Sequence, residues 1–110
     1  KVLSTDKFDR HEITDEKLAI VVEALRAIPE LRKAYLVRKR VTHLAHRPLY
    51  VLGYKAKRNF LMFRDKAREE RVMHAIQHVP FPGETFIVCL EGDNYWLDRK
   101  VRFKRGTRVL

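Results

Sequence analysis

KAYLVRKRVT, residues 33 to 42, and RPLYVLGYKA, residues 47 to 56, decide the fold. Both are rich in β-branched and aromatic side chains and only HLAH (43–46) separates them, so they read as the two strands of an antiparallel hairpin. Alternation puts Tyr35, Val37 and Val41 on one face and Leu36, Arg38 and Arg40 on the other. In the second strand Leu49 and Val51 oppose Tyr50, Leu52 and Tyr54. One face is therefore expected to meet helices, and the other to stay partly wet and basic.

Working outward, Leu18, Val21, Val22, Leu25 and Ile28 recur at helical spacing behind a cap at Thr14 or Asp15, and Pro29 stops the helix they define. Asp15 and Glu16 in its first turn suit the positive end of the helix dipole. A second amphipathic helix is expected over 67–79, with Val72, Met73, Ile76 and Val79 on one side and PFPG (80–83) ending it. NFLMFRDK (59–66) is ambiguous between the end of a strand and the start of that helix. ETFIVCLEG (84–92) is apolar on both faces and suits a central strand, after which GDN turns the chain. NYWLDRKV suits a short helical turn, and VRFKRGTRV (101–109) alternates as an exposed edge strand does. The expected architecture is α+β: a two-layer sandwich with a small, mainly antiparallel sheet packed by two helices. Its order is αββαβ plus a short basic C-terminal strand, with a right-handed crossover through 67–79. Residues 1–13 read as a tail or an adhering strand, and 14–110 as one domain.

The chain has 110 residues, 45% of them hydrophobic, which is room for one core and no second. A charged fraction of 35%, with four glycines and four prolines, indicates neither disorder nor a fibrous repeat. The single cysteine, Cys89, excludes an internal disulfide and a zinc cage of cysteines alone, and favours a reducing compartment. The apolar runs LAIVV (18–22) and FLMF (60–63) are far too short to cross a bilayer. A start at Lys1 without an apolar signal core suggests a portion of a longer protein.

Lysine and arginine outnumber the acids 24 to 14, a net charge of +10 that selects anionic partners. The cations cluster at 38–40, 55–58 and 99–108, whereas the acids gather in 6–30 and 65–70. HAIQH (74–78) places two histidines one helical turn apart, as a zinc-protease helix does. Ala75 stands where such a helix needs its glutamate base, so His74 and His78 read as surface histidines, the second complementing the helix dipole. His43, His46 and Cys89 are the only further nitrogen or sulfur ligands suggested for a metal. No nucleophile elbow surrounds a serine, and Cys89 inside an apolar run reads as inert packing. Glu69 and Glu70 sit between Arg68 and Arg71, a pattern of solvated salt bridges more than of an acid and base pair. Neither a catalytic residue nor a metal site nor a cofactor is expected.

Three segments, IPELRKAYLV (28–37), RPLYVLGY (47–54) and PGETFIVCLEG (82–92), resemble in that order the C-terminal domain of bacterial SseB-type proteins, the enhanced serine sensitivity group. The resemblance covers about residues 28–92 and rests on core hydrophobics and turns. It implies a small noncatalytic bacterial module and brings no catalytic residue with it. The chain departs from that pattern in its basicity and in its ending, RKVRFKRGTRVL.

The expected function is that of a noncatalytic bacterial interaction domain, a cytoplasmic soluble portion of a larger protein or one tethered to the inner membrane by a further segment. It would dock on a protein partner or an anionic lipid surface through its sheet edge or basic face. The alternative is a nucleic-acid-binding domain in which Tyr35, Tyr50, Tyr54, Tyr95 and Trp96 offer stacking surfaces among cations. Under either reading the anion- or partner-binding residues are Arg38, Arg40, Lys55, Lys57, Arg58, Arg102, Lys104 and Arg105. A metal-dependent enzyme centred on His74 and His78 ranks third.

Overall fold

A computed structural model describes residues 8–39, 49–92, 95–101 and 108–110. Its elements run β1 (Phe8–Arg10), α1 (Asp15–Arg26), β2 (Leu31–Lys39), β3 (Leu49–Ala56), α2 (Lys66–Ile76), β4 (Glu84–Cys89) and α3 (Tyr95–Val101). The fold is α+β with a mixed sheet in the order β1-β2-β3-β4. β2 and β3 pair antiparallel from Lys39↔Leu49 to Leu31↔Ala56, with a register shift between Leu31 and Lys33. β4 lies parallel to β3, because α2 carries the chain back across the sheet before β4 begins. None of the helices described is long and apolar enough to cross a membrane.

The alternation of the hairpin sorts the core into two halves. Leu36, Tyr50, Leu52 and Tyr54 share one face with Ile87 and Cys89, where Val21 and Leu25 of α1 and Val72 and Ile76 of α2 cover them. Helical spacing brings these apolar residues to the sheet, and each one fully buried contributes roughly 1.5 to 3 kcal/mol before entropy is counted. α1 takes Thr14 as its N-cap residue without a side-chain cap bond, so its N-terminal compensation comes from Asp15 and Glu16. α2 is capped by Asp65, which accepts from the Arg68 amide at 3.1 Å.

The second face departs from expectation. Instead of a wet basic surface it holds Tyr35, Val37, Val51, Phe86 and Val88, closed over by Phe8, Leu90, Trp96 and Leu97. The layering is thus helices, sheet and helix, because Tyr35, Val37 and Val51 make the middle of the odd-numbered face apolar as well. Lys55 does emerge on this face, but its ammonium meets Asp98 of α3 at 3.1 Å with both side chains largely covered. β1, within the stretch 1–13 read as a tail or an adhering strand, pairs with β2 through Phe8↔Lys39, and the expected short helical turn near Tyr95 is the seven-residue helix α3; the order αββαβ counted neither. The expected C-terminal strand is reduced, among the described residues, to an isolated antiparallel bridge between Arg108 and Tyr35. Residues 102–107, its centre, and the expected hairpin turn at 43–46 lie outside the described residues.

Gly53 is the position at which β3 admits this second layer. A Cβ there would stand 2.6 Å from Leu90 Cδ2, and Leu90 is itself fully buried. Gly53→Val is expected to destabilise the fold by about 1 to 3 kcal/mol through overpacking. The measurement is the denaturant midpoint at unchanged slope.

Candidate docking surface

Between β3 and α2 the chain makes a compact turn whose polar atoms are occupied from within. The Asn59 side-chain oxygen accepts from the amides of Leu61 at 2.9 Å and Phe63 at 3.1 Å. The Asn59 carbonyl accepts from the Met62 amide, and the Asn59 amide donates to the Phe63 carbonyl. Arg58 Nη1 donates to the Met62 carbonyl at 3.3 Å. With the backbone so engaged, the side chains point outward: Phe60 is 91% exposed, Leu61 59%, Met62 69% and Phe63 66%. Leaving them in water forgoes roughly 1.5 to 3 kcal/mol apiece. Met62 also holds a left-handed backbone (φ 66), which costs an L-residue about 1 to 2 kcal/mol.

An arginine and carboxylate lattice clamps the stems of this turn. Arg64 makes a two-pronged contact with Glu69, at 3.0 and 2.8 Å, and its Nε lies 3.4 Å from Glu91. Glu91 also accepts from Arg32 at 3.0 Å and from Arg58 at 3.5 Å. Arg68 reaches from α2 to the carbonyls of Lys57 and Arg58, and pairs with Glu30 at 2.8 Å. Arg71 holds both oxygens of Glu30, and that contact, aided by Arg68, keeps the Glu30 carboxyl below its ordinary value. Glu69 is salt-bridged as its surroundings suggest, but as a buried carboxylate instead of on a solvated face. Glu69 is buried and serves Arg64, while Arg68 and Arg71 turn to Glu30. Gly92 has φ 72, and a Cβ on it would stand 2.7 Å from Arg64 Nη1, so the lattice also relies on a glycine there.

Of the residues singled out in the sequence, Arg38 pairs with Glu12 at 3.1 Å, Lys55 with Asp98 and Arg58 with Glu91. Lys57 is exposed, and Arg40, Arg102, Lys104 and Arg105 lie outside the described residues. Arg38 is opposite Tyr50 at one end of the hairpin ladder, whereas Lys57 follows its other end at Leu31↔Ala56. Seven residues of strand, about 23 Å, separate them, so the two do not share a patch. Lys57 and Arg58 alone join the turn, with Arg64 and Lys66 beyond it. Tyr35, Tyr50 and Tyr54 are core residues rather than stacking surfaces. Trp96 is half-buried, with the Lys100 ammonium 5.7 Å from its ring, and Tyr95 is exposed. His74 and His78 are both exposed, His43 and His46 fall outside the described residues, and no group of three metal-capable side chains gathers among those described.

Cys89 sits beside this lattice on β4, half-buried. Burial pushes its thiol above the ordinary value of 9.0, partly offset by a backbone hydrogen bond at Glu91. Burial likewise raises the Tyr54 phenol, whose hydroxyl donates to the Glu69 carbonyl at 3.0 Å. The sequence signal missed at this surface was the run FLMF itself, four large apolar residues without period directly after an asparagine. Compared with family models, with characterised proteins and with solved structures, the chain matches none.

Asn59→Ala removes two hydrogen bonds from the turn, worth about 1 kcal/mol each. Amide exchange at Leu61 and Phe63 is expected to quicken roughly 5- to 30-fold while the β3 amides keep their protection. The raised Cys89 thiol is expected to react slowly with alkylating reagents at neutral pH, with a rate that climbs with pH and levels off only above pH 9.0, because the thiolate is the nucleophile. The rate of alkylation against pH in the folded chain measures this.

Proposed function

We propose that this protein is a noncatalytic interaction module, bacterial and cytoplasmic, that docks on a partner surface through the segment 57–66. The observation that carries this reading is the internally hydrogen-bonded turn presenting Phe60, Leu61, Met62 and Phe63 to solvent. Soluble domains rarely leave contiguous large apolar side chains unburied without a surface to receive them. The resemblance of residues 28–92 to a small noncatalytic module supports the same reading. The rival reading, nucleic-acid binding through scattered cations, draws support from the net charge of +10 but loses three of its five aromatic platforms to the core.

The two readings separate under salt and substitution. The full chain is titrated with an acidic protein, with anionic vesicles and with a single-stranded oligonucleotide, beside the variant Phe60→Ser with Phe63→Ser. Docking through the turn requires that binding to at least one of the first two fall on the order of tenfold or more in the variant. Oligonucleotide binding that ignores the variant and drops with a log-log salt slope of about −0.7 per neutralised phosphate replaces this reading with its rival. Binding to none of the three rejects both.

A further inference from the structure

Resting on that docking reading, we infer that the surface received by KRNFLMFRDK (57–66) is an anionic lipid bilayer, and that Phe60, Leu61, Met62 and Phe63 enter its interface. The first argument is shape. A groove in a protein takes an apolar stripe, with residues three and four apart on one side of a helix, or alternate residues of a strand. Here four consecutive side chains around a tight turn are all more than half exposed, so no single wall covers them together. A fluid apolar medium closes around such a tip from every side.

The second argument is the backbone. Entering the acyl boundary strands any polar group that has no partner. The amides of Asn59, Leu61, Met62 and Phe63 are all satisfied inside the turn, and the Met62 carbonyl is taken by Arg58. The tip thus carries most of its own hydrogen bonds into the interface.

The third argument is charge. The segment holds Lys57, Arg58, Arg64 and Lys66 against one acid, Asp65, which is occupied as the cap of α2. Arg58 and Arg64 lean on Glu91 and Glu69, leaving Lys57 and Lys66, both exposed and within three residues of the turn, as the cations directed at phosphates. Neither lysine is engaged in an ion pair among the described residues. An apolar tip collared by lysines at headgroup depth is the arrangement by which interfacial segments combine apolar burial with attraction to anionic lipid. The remaining net charge of the chain, +10 in all, adds long-range attraction of the same sign.

The test is sedimentation of the full chain with vesicles of phosphatidylcholine alone and of phosphatidylcholine mixed with phosphatidylserine. Binding is expected only to the mixed vesicles. Phe60→Ser with Phe63→Ser is expected to weaken it about 100-fold, and Lys57→Ala or Lys66→Ala about fivefold each. In a second measurement, the emission of Leu61→Trp, compared with the parent chain, is expected to shift to the blue on binding and to be quenched by brominated acyl chains. Because all these side chains are exposed, the variants are expected to keep the parent circular dichroism spectrum. Equal binding to both vesicle types overturns the anionic assignment, and binding that survives loss of both phenylalanines overturns insertion. Vesicles ignored while an acidic protein binds and loses affinity in the double serine variant overturns the lipid assignment and leaves the docking reading standing. Failure to bind either removes both.

Discussion

The structure depends on β3 being covered on both sides. Tyr50, Leu52 and Tyr54 are buried under α1 and α2, while Val51 and Gly53 are buried under Leu90 and Leu97. A strand apolar at successive positions has no face to give to water, so a single helical layer leaves half of its burial unrealised. α3 supplies the second layer although it is only seven residues long, with Lys55 and Asp98 binding it to the strand it covers. A charge-assisted hydrogen bond of this kind contributes roughly 1.5 to 3 kcal/mol, and breaking one partner leaves the other poorly solvated.

The same strand runs out into the candidate docking surface, and the acids of the chain explain why that surface holds its shape. Fourteen acids face twenty-four bases, yet Glu30, Glu69 and Glu91 converge on the arginines at the stems of the turn. Exposed ion pairs contribute little stability singly. Their effect here is geometric, because planar guanidinium groups gripping carboxylates at two points fix orientation as well as distance. Concentrating the acids at the stems also decides which cations remain for a partner: the lysines at 57 and 66, rather than the arginines between them.

How far the sequence discloses this can be followed residue by residue. Val21 and Leu25, or Val72 and Ile76, announce a buried helical face because their spacing repeats over several turns. Leu36, Leu52 and Tyr54 announce a strand face in the same way. α3 is faint because seven residues carry too few turns to establish a period, with Leu97 its one fully buried side chain. Glu69 reads as a solvated salt-bridge partner because it stands between Arg68 and Arg71, but the fold buries it and brings Arg64 back from before the helix to claim it. Among the described cations, Arg38 and Lys57 are neighbours in the sequence pattern but stand at opposite ends of the hairpin ladder, and α3 conceals Lys55. Phe60 to Phe63 carry no period, so the sequence is ambiguous between a strand end and a helix start there, and large apolar residues are by default inside. Only the hydrogen bonds of Asn59, invisible without coordinates, turn them out.

The conformation of that turn does not explain its side chains. Its shape needs an asparagine at 59 and a residue at 62 that tolerates a left-handed backbone, for which glycine or asparagine is less strained than methionine. Phe60, Leu61 and Phe63 contribute to neither requirement, since each is more than half exposed. Serine or lysine at those positions leaves the internal bonds of the turn intact and removes an aggregation hazard. On the proposed docking reading, the strain and the exposure are both accounted for by apolar groups held ready for transfer into some other phase. The lysine collar narrows which one: a protein groove has no general need of positive charge around an apolar tip, whereas an anionic interface places phosphates beside its hydrocarbon at every point.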